Sequence, residues 1–141
     1  PLTVGSRVVE HGCGIGTLPE QLPPDSFRSY MGYDIGTAAV RQASSRGLAN
    51  CSFRACSIES WTGEEDPIAL IICKEVIYYL SPVSLRAFIA RACEALSPTG
   101  KLMMTIHDRE KHAETLALCL ECGAQEVYVG PPVILMIGRS H

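Results

Sequence analysis

A glycine-rich segment near the start of the chain limits most strongly what this sequence can fold into. Val8 and Val9 end a short β-branched run, which is typical of a buried strand. After Glu10, glycines follow at alternating positions: Gly12, Gly14 and Gly16. Glycine adopts positive φ and has no Cβ to block a ligand, so the backbone can turn sharply here. Thr17 and Glu20 have the spacing of a capping box, which predicts a helix directly after the glycines.

A strand, a glycine turn and a helix together predict a pocket for a nucleoside cofactor. The dinucleotide fingerprint is G-x-G-x-x-G, whereas this segment reads G-x-G-x-G and has proline at residue 19. The carboxylate of Glu10, two residues before the first glycine, would repel a pyrophosphate but suits an ammonium group. The spacing therefore disfavours a nicotinamide oxidoreductase, and an ordinary strand-to-helix turn is the simpler alternative.

A second acidic residue lies where nucleotide-binding units use one. Residues 28–35 read as a strand that ends in Asp34, eighteen residues after Gly16. An acid near this spacing binds the ribose hydroxyls in a βαβ nucleotide site. The alternative is that Asp34 or Thr37 only caps the following helix. We favour the ribose role because it explains the spacing.

These two segments resemble the first two motifs of class I S-adenosylmethionine-dependent methyltransferases. The first runs from Glu10 to Gly16 and the second from Tyr33 to Ala43. The resemblance implies that S-adenosylmethionine binds with its methionine end near Glu10 and its ribose on Asp34, and leaves as S-adenosylhomocysteine. It also implies further cofactor contacts from residues after the first four strands: Cys13, Ile35, Ser57, Ile58 and Lys74.

Two positions depart from the family pattern. The family often has an aspartate after the third strand that accepts a hydrogen bond from adenine, and here Cys56 or Ser57 occupies that place. A hydroxyl accepts more weakly than a carboxylate. The apolar pair Ile68-Ala69 replaces the customary acid at the start of the fourth strand. Both changes would weaken cofactor binding without removing the pocket, and nearby Trp61 is expected to stack on adenine or to cover the loop.

Predicted strands and helices alternate along the chain. The strands are 6–10, 29–34, 51–56, 68–73, 101–106, 125–129 and 133–138, and the helices are 17–23, 37–46, 82–96 and 109–122. The last two strands are joined around Gly130, too closely for a helical crossover, so they should be antiparallel. The resemblance implies an α/β, Rossmann-like, doubly wound seven-stranded sheet in the order 3-2-1-4-5-7-6, within a single domain over 1–141.

The composition limits the size, the partners and the cellular location expected for this domain. The chain has 141 residues, 47% of them hydrophobic, which is enough for one core. A net charge of −3 argues against a nucleic-acid partner. No apolar run is long enough for a membrane span, and the start does not resemble a signal peptide. Seven cysteines scattered through the elements favour reduced thiols in the cytoplasm. Residues 57–67 read as a surface loop.

Ligands in open α/β sheets bind beyond the carboxyl ends of the strands, which directs attention to the residues after strand four. The stretch from Ile71 to Leu80 is similar to the one that faces cofactor and acceptor in small-molecule methyltransferases, including nodulation-type N-methyltransferases. The resemblance implies that Glu75 orients an amine or accepts a proton. Tyr78 and Tyr79 would wall the acceptor pocket or contact the donor by cation–π attraction. Simple core packing is the alternative for this stretch.

For the remaining histidines and cysteines, the sequence gives weaker indications of a catalytic or binding role. His107, after strand five, is the best candidate for a general base because imidazole titrates near neutral pH, although a capping or surface role is an alternative. His11 lies inside the glycine segment as a candidate substrate contact or a structural residue. Cys119 and Cys122 form a C-x-x-C at the end of a predicted helix, where neither a redox pair nor zinc is expected. No metal site is predicted.

The leading hypothesis is therefore methyl transfer from S-adenosylmethionine to nitrogen or oxygen of a small metabolite. The alternative is a methyltransferase-like protein that does not transfer methyl groups, either a binding subunit or a biosynthetic enzyme that reuses the pocket. The family normally has helices ahead of its first strand, and residue 1 lies almost at that strand here. The resemblance is thus to a minimal or N-terminally trimmed member with an open pocket, which a second copy or a partner subunit would close.

Overall fold

The computed structural model describes residues 2–23 and 25–139, which form one seven-stranded sheet with helices on its two faces. The strands are β1 Arg7–His11, β2 Ser29–Asp34, β3 Cys51–Ala55, β4 Ile68–Lys74, β5 Leu96–Ile106, β6 Gln125–Tyr128 and β7 Val133–Gly138. The helices are α1 Thr37–Ser45, α2 Pro82–Ala95 and α3 Ala113–Glu121. Single 3-10 turns lie at Leu18–Gln21 and Ile77–Tyr79. No helix within the described ranges is long and apolar enough to cross a bilayer.

The strand order is β3-β2-β1-β4-β5-β7-β6, as predicted. The first five strands pair in parallel, and β7 runs antiparallel to both β5 and β6. β1 lies between β2 and β4, with Val9 opposite Met31 on one side and Ile71 on the other. The carboxyl ends of β1, β2 and β4 therefore lie together, where the order of the strands reverses. This is the position at which open α/β sheets bind ligands.

The two faces of the sheet are covered unequally. The face under α2 and α3, which we call the closed face, holds the larger core, with Val9, Ile71 and Phe88 fully buried. The opposite face, which we call the open face, has a smaller core of Val8, Tyr30 and Ile72. Consecutive residues of a strand point to opposite faces, so neighbours in β1 lie in different environments.

The helix predicted at 17–23 is wrong. Only one 3-10 turn forms there, and Thr17 makes no capping hydrogen bond. Leu22 already has extended backbone angles, because the residue before a proline, here Pro23, disfavours helical ones. Glu20 pairs with Arg46 at the end of α1 instead of closing a capping box.

Two further element boundaries differ between the sequence prediction and the structure. The last helix begins at Ala113 and not at residue 109, because the Asp108 side chain accepts a hydrogen bond from the Lys111 amide at 2.9 Å and holds a turn there. β5 begins at Leu96 and not at residue 101, with a bulge against β4. The long helix α2 begins as expected, with the Ser81 hydroxyl accepting from the Ser84 amide at 3.2 Å.

The segment predicted as a plain surface loop, 57–67, is anchored to the closed face. Trp61 is only 2% exposed, and its indole donates to Glu64 at 3.1 Å. The Glu64 carboxylate also accepts hydrogen bonds from the Tyr33 hydroxyl and, at 2.9 Å, from Arg7. From α2, Arg91 donates to the Trp61 carbonyl at 3.1 Å. A buried carboxylate with several donors thus holds a segment that lacks regular structure.

Candidate functional site

The glycine turn connects β1 to the rest of the site. Gly12, Gly14 and Gly16 all have positive φ, at 78°, 54° and 79°. A Cβ on Gly12 would lie 2.3 Å from Val76 Cγ1, so this turn and the segment after β4 pack too closely for any side chain. A Cβ on Gly14 would meet nothing within 4 Å, so this glycine faces open space. Gly12 is therefore needed for packing, whereas Gly14 leaves room for a ligand.

Asp34 closes the glycine turn from β2. Its Oδ2 accepts a hydrogen bond from the Gly14 amide at 3.0 Å, and its Oδ1 accepts one from the Gly36 amide at 2.8 Å. Neither Asp34 nor Thr37 caps α1, whose N-cap residue is Gly36 without a side-chain hydrogen bond. The alternative of a simple helix cap is therefore wrong, and the carboxylate lies beside the glycine turn.

A cavity of about 410 Å³, which we call the glycine-turn cavity, lies beside these residues. It is lined by Gly12, Asp34, Ile35, Cys56, Ser57, Ile58, Glu59, Val76, Tyr79 and Leu80. Its lining includes predicted site residues from the ends of four strands, β1 to β4. Ile35 and Tyr79 are 78% and 79% exposed, so two large apolar side chains of the cavity lining face solvent. The Ser57 hydroxyl is held in a local turn, 2.9 Å from the Ser60 hydroxyl.

Glu10 lies on the open face beneath the glycine turn. It is only 4% exposed, and its Oε2 has no hydrogen-bond partner. Burial raises the pKa of this carboxyl from 4.5 to about 7, and the nearby Tyr30 hydroxyl and Lys74 charge oppose that shift only in part. Tyr30 lies close by, but its hydroxyl also lacks a well-formed hydrogen bond. An unpartnered acidic oxygen at this depth suits a cationic ligand group.

His11 lies on the closed face and is fully buried. Its ring meets Trp61 and Phe88 edge-on, at centroid distances of 4.8 and 5.2 Å, and neither ring nitrogen has a partner. Burial, with the charge of Arg91, lowers the pKa of this imidazole to about 4. His11 does not line the glycine-turn cavity, so its position supports a structural role and not the predicted substrate contact.

The remaining predicted cofactor contacts lie around the turn without lining the cavity. Cys13 is buried, and burial raises the pKa of its thiol to about 12. Gly16 packs against Phe53, whose Cζ would lie 2.9 Å from an added Cβ. Lys74 is exposed at the end of β4. Trp61 lies in the closed-face core and does not reach the cavity, so of its two expected roles the structure supports only covering the loop.

Ala69 lies at the other end of β4, in a cavity near the amino ends of the strands. This departure from the family pattern therefore does not touch the glycine-turn cavity. Arg91, which sequence reasoning missed, donates at 3.3 Å to the carbonyl of Ile58 in the cavity wall. The sequence around Arg91 does not indicate this contact, because the contact depends on how α2 packs against the sheet.

Glu75 connects the ends of β4 and β5. Its carboxylate accepts hydrogen bonds from the Thr105 hydroxyl at 2.8 Å and from the His107 amide at 2.9 Å. Its own amide donates to Thr105 Oγ1 at 3.2 Å. Glu75 has φ of 58°, a left-handed conformation that costs energy for a residue with a side chain. The segment of residues 76–80, which we call the partition segment, thus leaves β4 from a strained and firmly held residue.

A second cavity, of about 530 Å³, lies on the other side of the partition segment. We call it the α3 cleft; it is lined by Tyr78, Leu80, Pro82, Leu85, Leu118 and residues 110–115. The Tyr78 ring stacks on His112 with centroids 3.9 Å apart, and burial together with the Glu75 charge raises the pKa of Tyr78 to about 12. His112 was not predicted as a site residue, because it lies far along the chain from Tyr78. His107, the predicted base, is exposed and lines neither cavity.

The paired cysteines take structural positions. Cys119 is fully buried in α3, and Cys122 directly follows that helix. Both are free thiols, as are the other five cysteines. Within residues 2–23 and 25–139, no three His, Cys, Asp or Glu side chains come together in a metal-binding arrangement.

Comparisons with known proteins agree with this arrangement. A family model described as a methyltransferase domain matches residues 2–128. The carboxy-S-adenosyl-L-methionine synthase of Chromohalobacter salexigens is 30% identical over 111 residues, which cover 74% of this chain and 41% of that protein. The chain thus spans about two fifths of the length of that curated relative.

Solved structures share the fold at lower identity. The N-methyltransferase NodS from Bradyrhizobium japonicum, in complex with S-adenosyl-L-homocysteine, has a TM-score of 0.78 at 21% identity, covering 96% of this chain and 79% of that one. A chain from the complex between the Haloferax volcanii methyltransferase activator Trm112 and a methyltransferase also has a TM-score of 0.78, at 16% identity and with coverages of 100% and 85%.

Proposed function

Because this chain belongs to the methyltransferase domain family, we propose that it binds S-adenosylmethionine and transfers its methyl group to nitrogen or oxygen of a small metabolite. When bound, that cofactor supplies a methyl carbon made electrophilic by a positively charged sulfur. Transfer of that methyl group to the acceptor atom would leave S-adenosylhomocysteine as the second product. The single observation that carries the proposal is the unpartnered buried carboxylate of Glu10 next to an open glycine turn.

The residues present fit this cofactor. The unpartnered Glu10 oxygen suits the ammonium of the methionine portion, since an opposite charge would offset the cost of burying it. Asp34 lies in the lining of the glycine-turn cavity. Each of its carboxylate oxygens accepts one backbone hydrogen bond and keeps a second lone pair that can accept from a ribose hydroxyl. Ile58 and Val76 provide apolar surface for the adenine. Ser57 supports an adenine contact more weakly than an aspartate, because its hydroxyl is already engaged with Ser60.

The chain acts mainly by positioning under this proposal. Holding donor and acceptor in line supplies much of the acceleration of a transfer from a good electrophile. Glu75 contributes as the residue that fixes the partition segment, through its hydrogen bonds to Thr105 and His107. The predicted role of Glu75 as a proton acceptor has less support, because Glu75 lines neither cavity and its carboxylate is directed at Thr105 and at the His107 amide.

Calorimetric titration with S-adenosylmethionine and then S-adenosylhomocysteine tests the proposal. We expect saturable one-to-one binding that is lost in Asp34→Ala and Gly14→Val. Glu121→Gln is the control, because this carboxylate pairs with Arg86 on the surface of α3. Absence of heat with both ligands, from protein whose circular dichroism shows it to be folded, would contradict the proposal.

A second candidate uses the same cavity without methyl transfer. The curated relative is named for the synthesis of carboxy-S-adenosyl-L-methionine, so that protein modifies the nucleoside itself. By this analogy the chain would hold S-adenosylmethionine as a compound to be changed, or act as a binding subunit. Mass spectrometry of the nucleoside after incubation with candidate acceptors decides between them. S-adenosylhomocysteine supports methyl transfer, a heavier nucleoside supports modification, and unchanged S-adenosylmethionine supports binding alone.

We also propose that a partner covers the cavity rim, either a second copy of the chain or another subunit. The exposure of Ile35 and Tyr79 supports this, as does the presence of an activator in the Haloferax complex. Light scattering during gel filtration would detect a second copy. The seven free cysteines support a reducing, cytoplasmic location for this protein.

A further inference from the structure

We infer that a cavity at the amino ends of the strands is a second ligand site, which binds carboxylates that carry an apolar chain. The cavity has a volume of about 870 Å³ and includes Ser6, Ala69, Lys101 and Met136 in its lining. We call it the amino-end cavity. It shares no lining residue with the glycine-turn cavity, so the inference does not depend on the proposed function.

The irregular start of β5 forms one wall of the amino-end cavity. The pairing of β4 with β5 shifts by a bulge between Ile68 and Leu70. Gly100 allows the close approach of the two strands here, because a Cβ on it would lie 2.5 Å from the Ile68 carbonyl oxygen. Ser97 and Thr99 of this stretch line the cavity. A bulge changes the direction of side chains, so the fold opens a recess here instead of a regular ladder.

Apolar side chains line much of the cavity. Leu2, Pro67, Leu70 and Met136 all contribute to the lining. Leu70 packs at the edge of the smaller, open-face core. Methionine adapts its shape to irregular apolar ligands, and the cavity volume is in the range of small-molecule sites. The apolar part of a ligand therefore has a surface to cover.

Lys101 supplies the charge that an anionic group would meet. Its side chain is exposed, and its ammonium nitrogen lies only 2.8 Å from where a Cβ on the neighbouring Gly138 would be. None of the ion pairs in the described part of the chain involves Lys101. Arg7 also lines the cavity, but it is already paired with Glu64 at 2.9 Å and with Asp66 at 3.5 Å. Lys101 is thus the lining cation that a carboxylate would pair with.

The described lining of the amino-end cavity contains no acidic residue, although the chain has a net charge of −3. By contrast, Asp34 and Glu59 line the glycine-turn cavity, and Glu110 and Glu114 line the α3 cleft. Ala69 contributes to this difference, because it lines the cavity at the start of β4, where the family pattern has an acid. A carboxylate at this position would repel an anion in the same cavity.

A smaller cavity of about 410 Å³ continues from Lys101 towards β6. It shares Lys101 and Met136 with the amino-end cavity and adds Arg139. One nitrogen of Arg139 donates to the Leu96 carbonyl at 3.1 Å, which leaves the charge of the guanidinium uncancelled. The anionic group of a ligand therefore belongs at the boundary between the two cavities, with its apolar chain along Leu70 and Met136.

Methyl nuclear magnetic resonance during titration with octanoate tests the inference. The chain has four methionines, so isotope labelling of their methyl groups gives few signals. We expect octanoate to shift the Met136 signal saturably, while Met104, which is fully buried on the closed face, stays unchanged. Octanol has the same chain without the charge and should bind about threefold to fivefold more weakly. Octylammonium should bind more weakly still, because Lys101 repels it.

Charge variants separate pairing with the carboxylate from simple apolar binding. Lys101→Gln should weaken octanoate binding to the level of octanol, and Lys101→Arg should retain it. Lys111→Gln is the matched control, because this exposed lysine lines the α3 cleft instead. Ala69→Asp should weaken the binding of octanoate but not that of octanol. Ala69→Asn, which has the same size without the charge, should leave both unchanged.

Three results would overturn the inference: no saturable Met136 shift with octanoate, equal or tighter binding of octanol or octylammonium, or unchanged octanoate affinity in folded Lys101→Gln. A Met136 shift that follows protein concentration instead of octanoate would assign the cavity to a contact with a second copy, and would overturn it too. Calorimetry with S-adenosylhomocysteine on the same samples tests the glycine-turn cavity separately, so failure of one site is distinguished from failure of the other.

Discussion

Glu10 and His11 are consecutive residues of β1, yet they lie on opposite faces of the sheet and have opposite protonation behaviour. His11 is enclosed by the aromatic rings of the closed face, where burial keeps the imidazole neutral down to about pH 4. Glu10 lies on the open face, where burial keeps the carboxyl protonated up to about pH 7. Each group thus avoids a buried charge that nothing nearby fully compensates.

The two residues differ in whether a ligand can reach them and compensate their charge. The open face has the smaller core, and the glycine turn above Glu10 leaves space free of side chains at Gly14. The closed face is filled by α2 and α3, so no ligand reaches His11. An unpartnered buried polar atom therefore indicates a binding site only where the surrounding packing leaves access for a ligand.

Substitution in the closed-face core should have the largest effect on stability. Phe88 is fully buried beside His11, so Phe88→Ala is expected to lower the free energy of unfolding by about 3–5 kcal/mol. Urea unfolding followed by circular dichroism measures this. Phe53→Ala on the half-buried open face is the matched variant, with a smaller expected loss. Equal losses from the two substitutions would show that the faces are packed alike.

Glu10→Gln should gain stability and lose cofactor binding. Since the pKa of Glu10 is raised from 4.5 to about 7 by folding, ionisation works against the folded state as pH rises through this window. At ~1.4 kcal/mol for each unit, the glutamine variant should be more stable than the parent at pH 8 by about 3 kcal/mol.

Calorimetry should show that the same Glu10→Gln variant binds S-adenosylmethionine at least tenfold more weakly at pH 8. For the parent, affinity should fall about tenfold per unit as pH drops below 7, because the neutral carboxyl no longer pairs with an ammonium. Unchanged affinity in the variant would show that Glu10 is a structural acid.

His11→Leu should change the pH dependence of stability in the opposite sense and leave the cofactor unaffected. Folding lowers the pKa of His11 from 6.5 to about 4, so the parent loses up to about 3 kcal/mol from this group as pH falls through that range. In the parent, this loss largely cancels the gain from Glu10 between pH 4.5 and 6.5.

The two variants should therefore unmask opposite slopes. Between pH 4.5 and 6.5, the unfolding free energy of His11→Leu should fall with rising pH, and that of Glu10→Gln should rise. Urea titrations at four pH values suffice to see this. A weaker affinity of folded His11→Leu for S-adenosylmethionine would break the comparison, because it would connect the closed face to the cofactor.

Glu64→Gln should have the smallest of these effects. Its carboxylate is 8% exposed and joins Arg7, Tyr33 and Trp61. Loss of one charge leaves Arg7 without its closer partner and costs about 1–3 kcal/mol. Thermal unfolding would measure it, with Glu65→Gln in the same loop as the control. A loss no greater than that of the control would mean that packing of Trp61 alone holds the segment.

Much of the fold was predictable because it depends on local patterns. Ser81-Pro82 marked the start of α2, and the short link around Gly130 required β6 and β7 to be antiparallel. The failures at residues 17–23 and 109–112 are cases where proline or an aspartate side chain competed with the helix. Segment 57–67 was misjudged because its anchor, Glu64, looks like any surface acid until its donors are known.

The position of the first cavity of the candidate site was predictable from the glycine turn, but the presence of a second cavity was not. Glycine spacing and Asp34 identified the first cavity, since a turn and its neighbouring strand end are encoded within a few residues. The stacking of Tyr78 on His112 joins residues from the ends of β4 and β5, and no sequence pattern specifies that contact.

The sequence by itself determined the order of elements, the glycine turn and the acidic pair of Glu10 and Asp34, because these follow from backbone freedom and short-range patterns. Only the tertiary structure decided that Glu10 is buried beneath an open glycine turn while His11 is enclosed by aromatic side chains. It also decided that Glu75 holds the partition segment and that His112, not His107, lines the second cavity. Burial and access depend on what packs against each face of the sheet, and that is set by distant parts of the chain.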